Sequence, residues 1–247
     1  MEIQEYTRME RYEKSYWWHT GRRYILEQIL TKFVAPAGKL NVLDLGCGTG
    51  INFNWLKKWG IVTGLDNESN ALSYCRQKSA YHRLIQDDAT RPSSEKYDLI
   101  TAFDLLEHIE DDRLALRQWY SNLTPGGHLL LTVPAHQWLF GAHDKALHHK
   151  RRYSSFELSQ KIRAAGFKIK FLSPFFFFVF PVFVVIRLVK KYARPETTYE
   201  TVSDAIHLNG FLVWLSKLEA YLLTSGIGLP WGSSILVVAT KESSPSS

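Results

Sequence analysis

The sequence predicts one doubly wound α/β domain, and three observations carry that reading. From residue 39 onward, short apolar runs alternate with amphipathic stretches, the pattern of βαβ units. The first apolar run, at 42–45, opens directly into Gly46, Gly48 and Gly50 and then into a helical stretch. At 247 residues the chain is long enough for one sizeable core with embellishments.

Residues 5–33 carry apolar positions at helical spacing and stop before Ala35-Pro36-Ala37-Gly38. Strands are then expected at 42–45, 62–65, 84–86, 97–102, 128–133, 167–172 and 235–240. Helices fall at 51–59, 70–79, 113–123 and 155–165, the last with Ser154 as N-cap and Gly166 as C-cap. Pro125-Gly126-Gly127 turns the chain into the fifth strand, and a histidine-rich loop at 134–153 follows it. About sixty residues separate the sixth and seventh strands, where compact domains use far shorter connections. The chain therefore divides into a helical cap at 1–38, a core at 39–172, an apolar helical insertion at 173–232, a last core strand at 233–241 and a polar tail at 242–247.

Ordinary hydrophobic and charged content excludes disordered and fibrous classes. A net charge of +6 suits membrane lipid, phosphate or nucleic acid without choosing among them. Two cysteines, Cys47 and Cys75, are too few for a disulfide framework and fit a reducing compartment. The charged start MEIQEYTRMERYEKSYWW lacks a secretory apolar region, so a cytoplasmic location is expected.

The strongest local signal is VLDLGCGTG at 42–50. Glycines after a buried strand let the backbone turn tightly and approach a ligand at a helix N-terminus. The spacing is wrong for the Gly-x-Gly-x-x-Gly of nicotinamide-binding folds. Asp44 precedes the first glycine by two, Asp66 ends the second strand, where a carboxylate can accept both ribose hydroxyls, and Asp88 closes the third.

This order of motifs, over 42–133, resembles the class I S-adenosylmethionine-dependent methyltransferases of the type 11 and type 12 domain family. The resemblance implies a seven-stranded Rossmann-like sheet with an N-terminal helical lid, and S-adenosylmethionine as cofactor. It places Asp44, Gly46, Cys47 and Gly48 around the methionine end, Asp66 on the ribose and Asn67 beside the adenine. Asp88 and Ala89 would meet the adenine amine, and Phe103 and Leu105 would lie along the cofactor. WWHTGRR at 17–23 is similar to the leading segment of a subgroup whose first helix covers the cofactor. There Trp18 and His19 would wall the pocket, and Arg22 or Arg23 would pair with the methionine carboxylate, as a guanidinium does bidentately. The same segment also reads as a helix packing aromatics on the sheet with its arginines solvated.

Methyl transfer needs alignment of the acceptor and, for a hydroxyl, a base. His108 and His149 are the catalytic candidates. Asp104-x-x-Glu107-His108 is similar to a segment that holds a divalent metal in small-RNA 2′-O-methyltransferases and recurs in quinone O-methyltransferases, with His149 at the place of a downstream ligand. Asp104 is shorter than the glutamate of that pattern, so no metal is assigned. Lys150, Arg151 and Arg152 could clamp an anionic acceptor or lie solvated.

The apolar run at 175–186 is shorter than the roughly twenty residues that span a bilayer, and Arg187, Lys190, Lys191 and Arg194 follow it. With the apolar stretch 208–223 it can meet a membrane through 174–194, line the acceptor site, or be buried in the core or a homodimer. The expected activity is methyl transfer to a heteroatom, oxygen first, of a hydrophobic or lipid-linked acceptor, in the cytoplasm or at the inner membrane face. The rival readings are an RNA methyltransferase with a metal-assisted 2′-O mechanism and a non-catalytic cofactor-binding subunit. Nucleic acid is disfavoured because the insertion is apolar where an RNA surface would be basic.

Overall fold

Strands β1 (Leu40–Leu45), β2 (Gly60–Asp66), β3 (Arg83–Gln86), β4 (Tyr97–Phe103), β5 (Leu123–Pro134), β6 (Lys168–Phe175) and β7 (Ser234–Thr240) form one sheet in the computed structural model. Their order is β3-β2-β1-β4-β5-β7-β6. β1 to β5 run parallel, and β7 lies antiparallel between β5 and β6. The structure describes residues 16–35, 38–78, 81–91, 93–185 and 208–243.

Alternation along each strand sends neighbours to opposite faces, and both faces are apolar because both are covered. Val42, Leu99, Leu130, Leu236 and Val238 point to one core, with Ile25 and Ile29 of α1 (Trp17–Phe33). Leu43, Ile100, Leu131 and Val237 point to the other. Trp119 of α4 (Asp112–Asn122) and Ile162 of α6 (Ser155–Ala164) close that second core. Ser154 caps α6 as expected, its hydroxyl accepting from the Glu157 N–H at 3.1 Å.

Several elements differ from expectation. The helix after the glycine turn is the single turn α2 (Phe53–Leu56), where 51–59 reads as helical. The run of helix formers at 5–15 lies outside the described residues. β5 starts at Leu123, before the glycine pair, because Leu123 already pairs with Tyr97 and the register shifts beyond it. α3 (Ser69–Lys78) and α5 (Ala142–Ala146) complete the helices that precede the insertion.

The insertion does not behave as one apolar block. β6 runs on to Phe175, and Phe175 and Phe176 are core residues. Residues 180–185 are helical, and the basic stretch holding Arg187, Lys190, Lys191 and Arg194 lies outside the described residues. The chain resumes in α7 (Asn209–Thr224), which packs on α1. The two helices touch at Gly21, where an added Cβ would stand 2.3 Å from Ser216 Oγ. No helix among the described residues is long and apolar enough to cross a membrane.

Glu219 of α7 fastens the insertion. Its buried carboxylate accepts the N–H groups of Phe176 and Phe177 at a backbone bend where Phe176 has φ +62. Burial pushes the Glu219 pKa to about 7, against the pull of those donors, from the usual 4.5. A carboxyl raised in the folded chain favours folding fully below its unfolded pKa, and that contribution is lost as pH rises through the folded value. Urea unfolding should therefore show the parent chain losing up to about 3 kcal/mol between about pH 5 and pH 8, with Glu219→Gln losing clearly less. Equal losses in the two proteins would refute this role of Glu219.

Candidate active site

The sheet order puts the reversal of winding between β1 and β4, where ligands of open α/β sheets bind beyond the carboxyl ends of the strands. Leu45 pairs with both Leu65 and Ala102, and Asp66 with Gln86, so these strands end along one rim.

The glycine loop rises from that rim. Gly46 and Gly48 have φ of +66 and +50, in the left-handed region that side chains disfavour. A Cβ on Gly46 would come 3.0 Å from Leu105, whereas one on Gly48 would meet only the Gly46 carbonyl at 3.9 Å. The loop is thus packed below and open above. Asp66 Oδ2 accepts the Gly48 N–H at 2.9 Å, and its other oxygen accepts the Glu68 N–H at 3.0 Å. Asp66 stays partly exposed beside the exposed Asn67.

Asp44 and Cys47 are placed differently from expectation. Asp44 is wholly buried beneath the loop, accepting from Thr101 Oγ1 at 2.8 Å and the Tyr81 hydroxyl at 2.9 Å. Burial raises its pKa to about 6, with both hydroxyls opposing the rise. It supports the loop from below. The Cys47 side chain is buried beside Gly64, so only its backbone faces the rim. Tyr81 and Thr101 escaped the sequence reading because neither lies in the glycine motif; only the fold brings them to Asp44.

After β3, the exposed Asp88 accepts both the N–H and the hydroxyl of Thr90 at 2.7 Å, and these bonds lower its pKa. The Ala89 carbonyl accepts from the Trp119 indole at 2.9 Å, which anchors the turn. Phe103 and Leu105 bring apolar surface from the end of β4. A partly exposed carboxylate, exposed Asn67 and Asp88, two apolar side chains and an open glycine face fit the sulfonium nucleoside that the resemblance implies. Gly46, Gly48, Asp66, Asn67 and Asp88 all lie at or just past the carboxyl ends of β1, β2 and β3.

Arg22 has a different partner from the expected methionine carboxylate. Its guanidinium pairs with Asp104 Oδ2, lies 4.5 Å over the Trp18 ring and 6.0 Å from that of Phe103. Asp104, at φ +53, also accepts from Thr132 Oγ1 at 3.2 Å. The pair joins α1 to the end of β4 and removes Asp104 from any ligand set. Arg22 also lines a crevice between α1 and the glycine loop with His19, Arg23, Leu26, Ile51 and Asn52. Burial, and then Arg22, depress the His19 pKa to about 3, so its ring is neutral.

His108 and His149 come together, their rings 4.7 Å apart and perpendicular. His149 Nδ1 lies 3.1 Å from Asp144 Oδ1, and its Nε2 lies 3.9 Å from Glu107 Oε1. Asp144 is itself held by Arg152 at 2.7 Å. Glu107 is completely buried, and neither oxygen has a hydrogen-bond partner. Burial, and then Asp104, push its pKa well above the usual carboxylate range. Glu107, His108 and His149 offer ligand atoms within 4.8 Å of one another, a group able to hold a metal ion. Asp144, which no motif flags, is the residue that organises this corner.

The expected basic clamp is internally paired. Lys150 bonds Glu110, Arg151 bonds Asp112 at 3.2 Å, and Arg152 bonds Asp144.

A family model described as a methyltransferase domain matches residues 17–170. A ubiquinone biosynthesis O-methyltransferase from Vibrio vulnificus is 32% identical over 116 residues, 44% of this chain and 49% of that protein. One from Coxiella burnetii is 28% identical over 170 residues, 60% of this chain and 69% of that protein. The chain thus spans about half the length of the first of these relatives. An S-adenosylmethionine dependent methyltransferase from Mesorhizobium loti shares the fold with a TM-score of 0.56 at 18% identity, over 87% of this chain and 95% of that one. With the open glycine loop and the acidic rim already placed, the chain belongs to the methyltransferase-domain family.

Proposed function

We propose that the enzyme methylates an oxygen of a hydrophobic, lipid-linked acceptor, with His149 as general base. One observation carries the base: Asp144 holds Nδ1 of His149 and turns Nε2 toward the space beside Glu107 and His108. A carboxylate on one ring nitrogen selects the tautomer whose other nitrogen accepts a proton. The acceptor class is supported by the likeness to ubiquinone biosynthesis O-methyltransferases and by the apolar insertion.

Bound S-adenosylmethionine supplies a methyl group on a positively charged sulfur. Asp66 holds the ribose and Asp88 the adenine amine, while Phe103 and Leu105 keep water from the reacting end. When bound, the cofactor would give up that methyl group to the acceptor oxygen and leave as the neutral thioether. The acceptor's proton passes to His149 Nε2, and Asp144 stabilises the resulting imidazolium.

A second reading rests on Glu107, whose unpartnered buried oxygens are unusual for a carboxyl group. With His108 and His149 it suits a divalent cation, and Asp144 would act as the outer carboxylate that orients a ligating histidine. Such an ion would lower the pKa of an acceptor hydroxyl.

Methyl-labelled cofactor incubated with lipid and aqueous cell extracts separately should label the lipid fraction; label confined to the aqueous fraction or to RNA overturns the acceptor class. Calorimetry should show Asp66→Ala binding the cofactor about ten- to a hundredfold more weakly, from lost charge-assisted hydrogen bonds; unchanged affinity would remove Asp66 from the site. His149→Gln should lower kcat by about two to four orders of magnitude with cofactor affinity retained. A change confined to KM argues against a base. Treatment with a chelator should abolish activity, and added zinc or manganese should restore it, if the cation reading is right. Full activity in chelator ends that reading and leaves the histidine base.

A further inference from the structure

Large apolar side chains left exposed are not scattered over the described surface. Of the eleven, eight fall between 182 and 231, so they mark one stretch of chain. Part of this surface is a single helical face. α7 turns Ser216, Glu219, Ala220 and Leu223 inward. At about 100° per residue, the opposite face carries Phe211, Trp214, Leu218 and Tyr221, and Lys217 lies at its edge, its ammonium 5.7 Å from the Tyr24 ring of α1. Phe211 and Trp214 are each 55% exposed and Tyr221 68%. The rings of Phe211 and Trp214 stack 5.9 Å apart, giving a continuous aromatic surface.

A helix apolar on both faces is ordinarily covered on both, by protein or by lipid. α7 has 16 residues, short of the roughly twenty that cross a bilayer, so lipid could cover it only along its length. We propose that the outward face of α7 docks flat in the interfacial layer of an anionic bilayer. Tryptophan and tyrosine are the side chains that settle at headgroup level, and a lysine among them can extend its ammonium to the phosphates. Lys217, exposed at the edge of this face, is the one basic residue of the helix, and the helix's acid, Glu219, is buried on the other side. In sequence, Arg187, Lys190, Lys191 and Arg194 precede the helix, with Glu196, Glu200 and Asp204 between them and it. The net charge of +6 over the whole chain favours anionic over neutral lipid.

The position suits the chemistry. α1 contacts α7 through Gly21 and, at the next residue, holds Arg22 on Asp104. The docked face is therefore one helix removed from the crevice beside the glycine loop. The usefulness of docking rests on the lipid-linked acceptor proposed above, but docking itself is measured without acceptor.

The full chain, floated with vesicles of phosphatidylcholine and phosphatidylglycerol, should bind, and should bind less at high salt or to phosphatidylcholine alone. Phe211→Ser, Trp214→Ser and Tyr221→Ser combined should weaken partitioning by about tenfold or more, with the melting temperature and calorimetric cofactor affinity unchanged. Lys217→Glu should weaken binding to the anionic vesicles. The proposal is overturned by absence of vesicle binding, or by a triple variant that partitions like its parent. A parent that sediments as a dimer, becomes monomeric in the triple variant and ignores vesicles also overturns it, assigning the face to a second copy. Vesicle binding without any labelled lipid product would leave docking standing and remove the acceptor class alone.

Discussion

Asp44, Asp66, Asp104 and Glu107 crowd the carboxyl rim of this sheet, and burial of Asp44 and Glu107 leaves those two little water. A buried carboxylate without partners costs several kcal/mol, so the partners decide what each group can do. Asp44 takes two hydroxyls and an elevated pKa, which makes it a prop under the glycine loop. Asp66 takes two backbone N–H groups and stays partly exposed, so it can still accept from a ligand. Asp104 takes the guanidinium of Arg22, which ties α1 to the sheet. Glu107 takes no hydrogen-bond partner; burial and Asp104 raise its pKa, with the His149 ring 3.9 Å away.

The histidine-rich loop is the built element that answers this deficit. Its ends are tied by the bridge between Ala135 and Tyr153, and the Tyr153 hydroxyl donates to Asp112 at 2.9 Å. Asp144 accepts from the Gly141 N–H at 3.0 Å and from Arg152, and the Lys150 N–H donates to the Glu107 carbonyl at 2.9 Å. These bonds set His149 against Glu107. His136 and His148 adopt φ of +65 and +58, backbone states that cost about 1–3 kcal/mol each and persist only where surrounding contacts enforce them. Lys150, Arg151 and Arg152 are each paired with an acid.

The insertion has both an inward and an outward role. Phe175 and Phe176 complete the core on the α1 side of the sheet, and Glu219 locks the bend that follows them. α7 then lies against α1 so closely that Gly21 has no room for a side chain. The helix that carries Arg22 is held between the sheet and the insertion.

The winding of the fold, the seven strands and the rim residues Gly46, Gly48, Asp66 and Asp88 were legible in the amino-acid order, because strand alternation and a strand–glycine–helix junction are local patterns. The pairing of His108 with His149 was only half visible, since two histidines forty-one positions apart carry no signal of contact. What tertiary structure alone decided was who neutralises whom: Arg22 goes to Asp104, Tyr81 to Asp44 and Asp144 to His149. It also divided a seemingly uniform greasy segment between core and surface. Both outcomes follow from burial, which depends on neighbours distant in sequence, whereas periodicity depends only on neighbours close by.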